Sequence, residues 1–284
     1  MLSGMVMAVA SAVMFGLNPV LISRFRGFEA PVVFVGLRSI VGFVALSVLV
    51  NPFVLGGLDP YLFFIIFTSA VTDMGIGTLF YTKSIEYLGG GHATVIGFTF
   101  IFVSQAIAFT FLGEDFTPSL IAGAALALAG IVISLWEPGG SRRSALGVVY
   151  AAIASLGWGI GTALIKPGVA VLGDPTLVTT LRLLITASIF TPIGLVLEKR
   201  AMRRETVRNL IAASITTGVI SLAVGVSLFT YAVKQVGVSA SVIALALTPI
   251  LTQALTRVIN KEELKPRHII GGAVVSAGIA LASI

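Results

Sequence analysis

The feature that most constrains the fold of this chain is a series of apolar segments, each about 20 residues long, separated by short polar breaks. A membrane-spanning helix needs roughly 20 apolar residues, and ten segments approach that length. They cover residues of about 3–23, 31–50, 61–81, 93–112, 118–136, 145–166, 176–197, 209–232, 241–259 and 267–284. The longest break has about 11 residues and leaves no room for a soluble domain. We therefore predict an all-α integral membrane protein with ten transmembrane helices.

The composition agrees with a membrane location and excludes several classes of protein. Of the 284 residues, 57% are hydrophobic and 11% are charged, whereas a typical soluble domain has about 25% charged residues. These values exclude a soluble enzyme, a disordered protein and a nucleic-acid-binding protein. Cysteine is absent, and no phosphate loop, catalytic triad or metal-ligand spacing is visible. We predict no enzymatic activity, no cofactor and no metal.

The second half of the chain repeats the first, which predicts two domains, residues 1–140 and 141–284. Matches of Gln, Glu, Pro and Arg in one register are not expected by chance. With a shift of 148 residues the matched pairs are Thr82 and Thr230, Gly89 and Gly237, Gln105 and Gln253, Glu114 and Glu262, Pro118 and Pro266, Gly123 and Gly271, and Gly130 and Gly278. With a shift of 143 or 144 they are Phe15-Gly16 and Trp158-Gly159, Pro31 and Pro175, and Leu37-Arg38 and Leu181-Arg182.

Each predicted unit has five helices, an odd number, so the second unit enters the membrane in the opposite orientation. Two inverted five-helix repeats are typical of secondary transporters, in which similar bundles rock around a site near the midplane. The partners implied are the lipid bilayer and a small-molecule substrate, with proton coupling as an option. The oligomeric state is not determined by the sequence.

The paired motifs resemble the drug/metabolite transporter superfamily, EamA type, over essentially the whole chain. The resemblance rests on an aromatic-Gly pair in each first helix, an Arg in each second helix, a G-E-x-x-T-P-like turn and glycines in each last helix. These motifs are Phe15-Gly16 and Trp158-Gly159, Arg38 and Arg182, residues 113–118 and 261–266, and the glycines at 123, 130, 271 and 278. The resemblance implies a central cavity lined by the first, third and fourth helices of each unit.

Three charged residues lie well inside predicted segments, where a charge costs roughly 2.5–3.5 kcal/mol on insertion scales. Arg38 lies about seven residues into the second segment, and Asp73 about ten residues before Lys83, so their depths are similar. We predict an Arg38–Asp73 ion pair, with proton coupling through Asp73 as the alternative. Arg182 occupies the position of Arg38 in the second unit, where Ser221 stands in place of the carboxylate. Arg182 is therefore either structural or free to attract an anion.

Polar and aromatic residues at equivalent positions of the two units form the predicted substrate site. Gln105 and Gln253 occupy equivalent midpoints, where they either bond each other across the pseudo-two-fold axis or bind substrate. Pro19 follows Asn18 and frees a backbone carbonyl, as in the broken helices of transporters. The predicted substrate-binding residues are Asn18, Tyr81, Gln105, Trp158, Arg182, Tyr231 and Gln253, and the coupling or ion-pair residues are Arg38 and Asp73.

These residues predict a transporter of a small polar or amphipathic metabolite, with an amino acid or a related compound as the preferred class. Arg182 is expected to bind the carboxylate of such a solute. One alternative is an exporter of lipophilic cations, which the absence of acidic residues in the first and sixth segments disfavours. The other is a scaffold or channel, which embedded polar residues at symmetric midpoints disfavour.

The loop charges predict the orientation in the cell membrane. The odd-numbered breaks hold 13 Lys and Arg residues, and the even-numbered breaks hold only Lys166 and Lys234. The positive-inside rule therefore places the odd-numbered breaks in the cytoplasm and both termini outside. The family resemblance implies cytoplasmic termini instead.

Overall fold

A computed structural model describes residues 2–22, 30–52, 58–115, 117–135, 144–260 and 265–282. Over these residues the architecture is helical, with no β-strand. The α-helices in these ranges are α1 (Leu2–Ile22), α2 (Pro31–Ser47), α3 (Pro60–Ser69), α4 (Thr78–Gly97), α5 (Phe100–Phe111), α6 (Pro118–Leu135), α7 (Ala145–Ala163), α8 (Ile165–Leu172), α9 (Pro175–Leu197), α10 (Arg204–Thr217), α11 (Ser227–Ala244), α12 (Leu247–Asn260) and α13 (Pro266–Ala282). A 3-10 helix covers Lys199–Ala201. Two π-helical segments, Ala70–Gly77 and Gly218–Val226, continue α3 into α4 and α10 into α11.

Helix length and hydropathy identify a multi-pass membrane protein. Within the described ranges, six helical stretches are long and apolar enough to cross a membrane, and three shorter helices are also apolar. The six are Pro60–Leu88, His92–Phe111, Pro118–Leu135, Ala145–Leu172, Pro175–Leu197 and Arg204–Ala244. The three are Leu2–Asn18, Pro31–Ser47 and Pro266–Ala282.

The starts of α3 and α9 show how the sequence sets helix boundaries. Asp59 precedes α3, and its carboxylate accepts hydrogen bonds from the backbone N–H groups of Tyr61 and Leu62. Asp174 caps α9 in the same way. In both helices a proline follows the capping residue, where its missing N–H costs nothing. The Asp-Pro pairs therefore end two polar breaks and begin two apolar helices.

Glycine contacts between α6 and α13 show that the two halves are related by a pseudo-two-fold axis. A Cβ atom placed on Gly123 would lie 2.6 Å from the carbonyl oxygen of Gly278, and one on Gly130 would lie 2.6 Å from that of Gly271. The predicted repeat pairs Gly123 with Gly271 and Gly130 with Gly278, so the halves exchange equivalent contacts, as subunits do across a two-fold axis. These two equivalent helices run antiparallel, which is the arrangement expected of an inverted repeat.

Two side-chain hydrogen bonds repeat the same relationship inside the bundle. The Ser104 hydroxyl donates to the carbonyl of Gly159 over 3.3 Å. The Thr252 hydroxyl donates to the carbonyl of Gly16 over 3.1 Å. Positions 104 and 252 are 148 apart, and the two glycines are predicted equivalents. The internal repeat is thus visible in packing, although the predicted boundary after residue 140 lies outside the described residues.

The two π-helical segments also occupy equivalent positions. A shift of 148 moves the segment Ala70–Gly77 onto residues 218–225, and the second segment covers Gly218–Val226. Short π-helical insertions occur frequently at functional sites. Neither segment has a feature in its sequence that predicts a π-helix.

Candidate functional site

A cavity of about 890 Å³ lies between the two halves and is lined by residues of both. Of the nine predicted site residues, seven line it: Asn18, Arg38, Asp73, Tyr81, Trp158, Arg182 and Gln253. Gln105 and Tyr231 lie outside the lining. A pocket of this size, with few polar groups among apolar walls, is typical of small-molecule sites.

The cavity reaches one end of the helix bundle. Its lining includes Leu88 and His92 at the third break, Leu135 at the end of α6, and Lys265 and Arg267 at the start of α13. All these positions adjoin odd-numbered breaks, which lie at the same end. The lining continues past the middle of the bundle to the π-helical segments.

The predicted Arg38–Asp73 ion pair is wrong, because Asp73 pairs with Arg182. The Arg182 Nη2 atom donates to Asp73 Oδ2. Arg182 is fully buried, and its Nε and Nη1 atoms have no hydrogen-bond partner among the described residues. The expectation of an Arg182 without a carboxylate is therefore also wrong.

Packing of α9 against the first π-helical segment explains the choice of partner. Beside the ion pair, the Thr186 hydroxyl approaches the Ala70 carbonyl at 3.5 Å and the Met74 sulfur at 3.8 Å. On the other side of the segment, a Cβ placed on Gly161 would clash with the Asp73 Cβ. The carboxylate is thus held against α9, which supplies Arg182 as its partner.

Arg38 extends along α2 and faces the cavity. The guanidinium carbon lies 5.4 Å from the centroid of the Phe34 ring, a cation–π distance. Only 8% of the residue surface is exposed. Its Nε atom has no hydrogen-bond partner among the residues described.

Aromatic rings form one wall of the cavity around Trp158. The Tyr81 ring centroid lies 4.8 Å from that of Trp158, and the Phe100 centroid lies 5.9 Å from it. The Tyr81 hydroxyl and the Thr94 hydroxyl are 2.6 Å apart. Trp158 comes close to the chain at Gly77, where a Cβ would lie 2.5 Å from its Cδ1 atom. The small residue of the π-helical segment thus makes room for the indole.

The two equivalent glutamines, Gln105 and Gln253, have different surroundings. Gln253 lines the cavity, whereas Gln105 is 1% exposed and lies outside the lining. Neither amide atom of Gln105 has a hydrogen-bond partner among the described residues, so the predicted Gln105–Gln253 bond is absent there. Asn18 lines the cavity with a buried Oδ1 atom that also lacks a partner within the described ranges. Tyr231 lies beside Thr176, with their hydroxyls 3.4 Å apart.

At the opposite end of the bundle, Glu114 joins the two halves. Its Oε1 atom accepts hydrogen bonds from the Val238 N–H at 2.6 Å and from Lys166 Nζ at 3.0 Å. Its Oε2 atom accepts from the Ser239 N–H at 2.9 Å and from the Ser239 hydroxyl at 2.6 Å. We call these four residues the Glu114 cluster. They adjoin even-numbered breaks, so the cluster joins the two halves at the end opposite the cavity mouth.

The backbone at Gly237 makes this cluster possible. Its φ of +80° lies in the left-handed region that glycine adopts without steric cost. The helical path breaks there and resumes at Val238, which exposes N–H groups to the carboxylate. Burial alone raises the pKa of Glu114, but hydrogen bonds from Ser239, Val238 and Lys166 outweigh it and hold that pKa below its usual value. Sequence reasoning recognised Glu114 only as part of a repeated turn.

Comparison with known proteins agrees with the fold. The EamA-like transporter family matches residues 2–136 and 145–284. The uncharacterized transporter YvbV of Bacillus subtilis (strain 168) is 26% identical over 157 residues, 54% of this chain and 50% of that protein. The chain thus spans about half the length of that relative. A known crystal structure covers 99% of this chain and 96% of its own, with a TM-score of 0.77 and 18% identity, and so shares the fold.

Proposed function

This chain belongs to the EamA-like transporter family, and from this premise we propose that it is a ten-helix secondary transporter working by alternating access. Two inverted repeats, residues 1–140 and 141–284, would rock around the cavity and move a small polar or amphipathic metabolite. The proposed substrate class is an amino acid or a related compound. The observation that carries the proposal is the cavity between the halves, whose mouth lies at one end while the Glu114 cluster joins the halves at the other.

The charges of the lining support this substrate class over a lipophilic cation. Within the described lining, Asp73 is the acidic residue, and Arg182 already engages it. Arg38 adds a cation that no carboxylate of the described residues neutralises. A cation exporter needs an available carboxylate, and the lining offers an excess of positive charge instead. Since Asp73 is engaged, we propose a structural role for it, with transport driven by the substrate gradient or by a coupling ion that binds elsewhere.

Counterflow in proteoliposomes tests the proposal. Purified protein is reconstituted into vesicles loaded with an unlabelled amino acid, and uptake of the labelled amino acid is followed. A carrier gives transient accumulation that depends on the internal solute, because exchange requires the same site to face both sides in turn. A channel gives equilibration without that dependence, and a scaffold gives no flux, so either result would contradict the proposal. Thermal shifts with a panel of solutes select the amino acid.

A further inference from the structure

Arg38 is a buried cation that lines the cavity without a counter-ion among the described residues. Its guanidinium contacts the Phe34 ring, and its Nε atom has no hydrogen-bond partner among the residues that the structure describes. A charge removed from water is costly unless it is paired. A cavity-facing guanidinium in this state favours the entry of an anionic group.

The position of Arg38 places it between the cavity mouth and the ion pair. Helices α2 and α9 run antiparallel, with Gly36 against Thr191 and Val33 against Gly194. By this register, Arg38 lies at the same height in the bundle as about residue 189 of α9. Arg182 is seven residues earlier in α9, so at a rise of 1.5 Å per residue the two arginines are about 10 Å apart along the helix axis. A solute that enters from the mouth therefore reaches Arg38 before Arg182.

The other charges make the lining electropositive. Asp73 and Arg182 neutralise each other, which leaves the positive charge of Arg38 in the interior. A cleft with an excess of one sign of charge concentrates ligands of the opposite sign.

We propose that Arg38 binds the carboxylate of an amphipathic organic anion, whose apolar body contacts the aromatic wall formed by Trp158, Tyr81 and Phe100. The guanidinium donates two parallel charge-assisted hydrogen bonds to the carboxylate, which offsets the desolvation of both groups. An ammonium group of the solute adds no affinity, because Arg182 occupies the acid that would attract it. The site thus recognises the carboxylate, and amino acids bind through that group alone. This inference rests on the proposed function and names the chemistry that its site selects.

Four solutes with the same phenylethyl body test the proposal. They are phenylpropionate, its amide, phenylalanine and phenethylamine, which carry a net charge of −1, 0, 0 and +1. Binding to the purified full chain is measured by titration calorimetry. We expect phenylpropionate to bind at least as tightly as phenylalanine, and the amide and the amine to bind about ten- to hundredfold more weakly.

Variants at Arg38 then assign the effect to one residue. R38Q should reduce the preference for phenylpropionate over its amide to about twofold, whereas R38K should retain part of it. R208Q, which changes an arginine outside the lining, serves as the matched control and should behave as the wild type. Melting curves establish that each variant is folded before binding is compared.

The possible outcomes separate this inference from the proposed function. Equal affinity of the wild type for the acid and the amide, a tenfold advantage of phenylalanine over phenylpropionate, or an unchanged preference in R38Q would overturn the role of Arg38. Binding of none of the four solutes would also overturn it. In each case, counterflow of an amino acid in the wild type would still support the transporter. Absence of counterflow with any solute would remove the proposed function itself.

Discussion

Asp73 and Arg182 form an ion pair between the first π-helical segment and α9, and so connect the two halves of the chain beside the cavity. Arg182 is fully buried, whereas 22% of the Asp73 side chain is exposed. The pair therefore contributes to the packing of the halves and presents one polar edge to a solute.

Substitution of Asp73 tests the pairing. Asp73→Asn leaves the buried Arg182 without a counter-charge, and we expect a loss of about 3 kcal/mol in stability and a lower folded yield. The double variant Asp73→Asn/Arg182→Gln should lose less than the sum of the two single changes, because the pair is already broken in each. Thermal melting in detergent measures both. Normal stability of Asp73→Asn would show that the pair is dispensable.

The two equivalent glutamines are expected to differ in solute binding. Gln253 lines the cavity, so Gln253→Ala should weaken binding of the transported solute about fivefold or more through a lost hydrogen bond. Gln105 lies outside the lining, and Gln105→Ala should leave that binding within twofold. Equilibrium titration of the purified protein distinguishes them. Equal losses in both variants would contradict the placement of the cavity.

Acid should weaken the Glu114 cluster. Because the pKa of Glu114 is lowered in the folded protein, its contribution to stability is present above the pKa of the unfolded chain and is lost as the pH falls through the folded pKa. On acidification below the ordinary glutamate pKa of about 4.3, the melting temperature of the wild type should therefore fall more steeply than that of Glu114→Gln. Asp115→Asn, at the neighbouring acid outside the cluster, should keep the steep dependence. Parallel curves for the wild type and Glu114→Gln would refute this assignment.

Close packing of α6 against α13 should make Gly130 intolerant of a side chain. In Gly130→Ala the new Cβ would lie 2.6 Å from the Gly271 carbonyl oxygen, so the helices must separate, at a cost of about 1–3 kcal/mol. At Gly168 the nearest atom to such a Cβ is 3.6 Å away, and Gly168→Ala should be neutral or slightly stabilising. Melting temperatures of the two variants provide the comparison. A similar response at both sites would argue against the contact.

The orientation predicted from loop charge is open to a labelling experiment. The chain has no cysteine, so Arg203→Cys and Asn51→Cys each introduce a single thiol. Arg203 lies in a basic, odd-numbered break and should be shielded from an impermeant thiol reagent in intact cells, whereas Asn51 should be labelled. The reverse pattern would place the cavity mouth outside the cell. Both residues are exposed to solvent, so burial does not confuse the result.

The repeat in the sequence predicted several of the residues that line the cavity. An inverted repeat forms its cavity where equivalent midpoints meet, and Asn18, Trp158 and Gln253 do line that space. Gln105 differs from its repeat mate because the cavity reaches one end of the bundle only. At the closed end the equivalent helix face is packed, and a sequence does not show which end is open.

The sequence alone did not predict which charged residues form an ion pair. Counting residues from helix ends gives the depth of a side chain, but it does not give the face on which the side chain lies. The π-helical segment changes the helix face on which Asp73 lies. Nothing in the sequence of residues 70–77 indicates a π-helix. The Glu114 cluster was missed for a related reason, because its donors are backbone N–H groups exposed by the turn at Gly237.

The two π-helical segments also date an event in the history of the chain. A π-helical insertion is rare and usually confined to one turn, and here it occurs in both halves at the same register. A single origin in an ancestral five-helix unit, followed by duplication, accounts for both copies. At the fourth position of the segment one copy now holds Asp73 and the other Ser221. The difference between the two copies therefore arose after the duplication, and the gene acquired its asymmetric chemistry after it had acquired its symmetry.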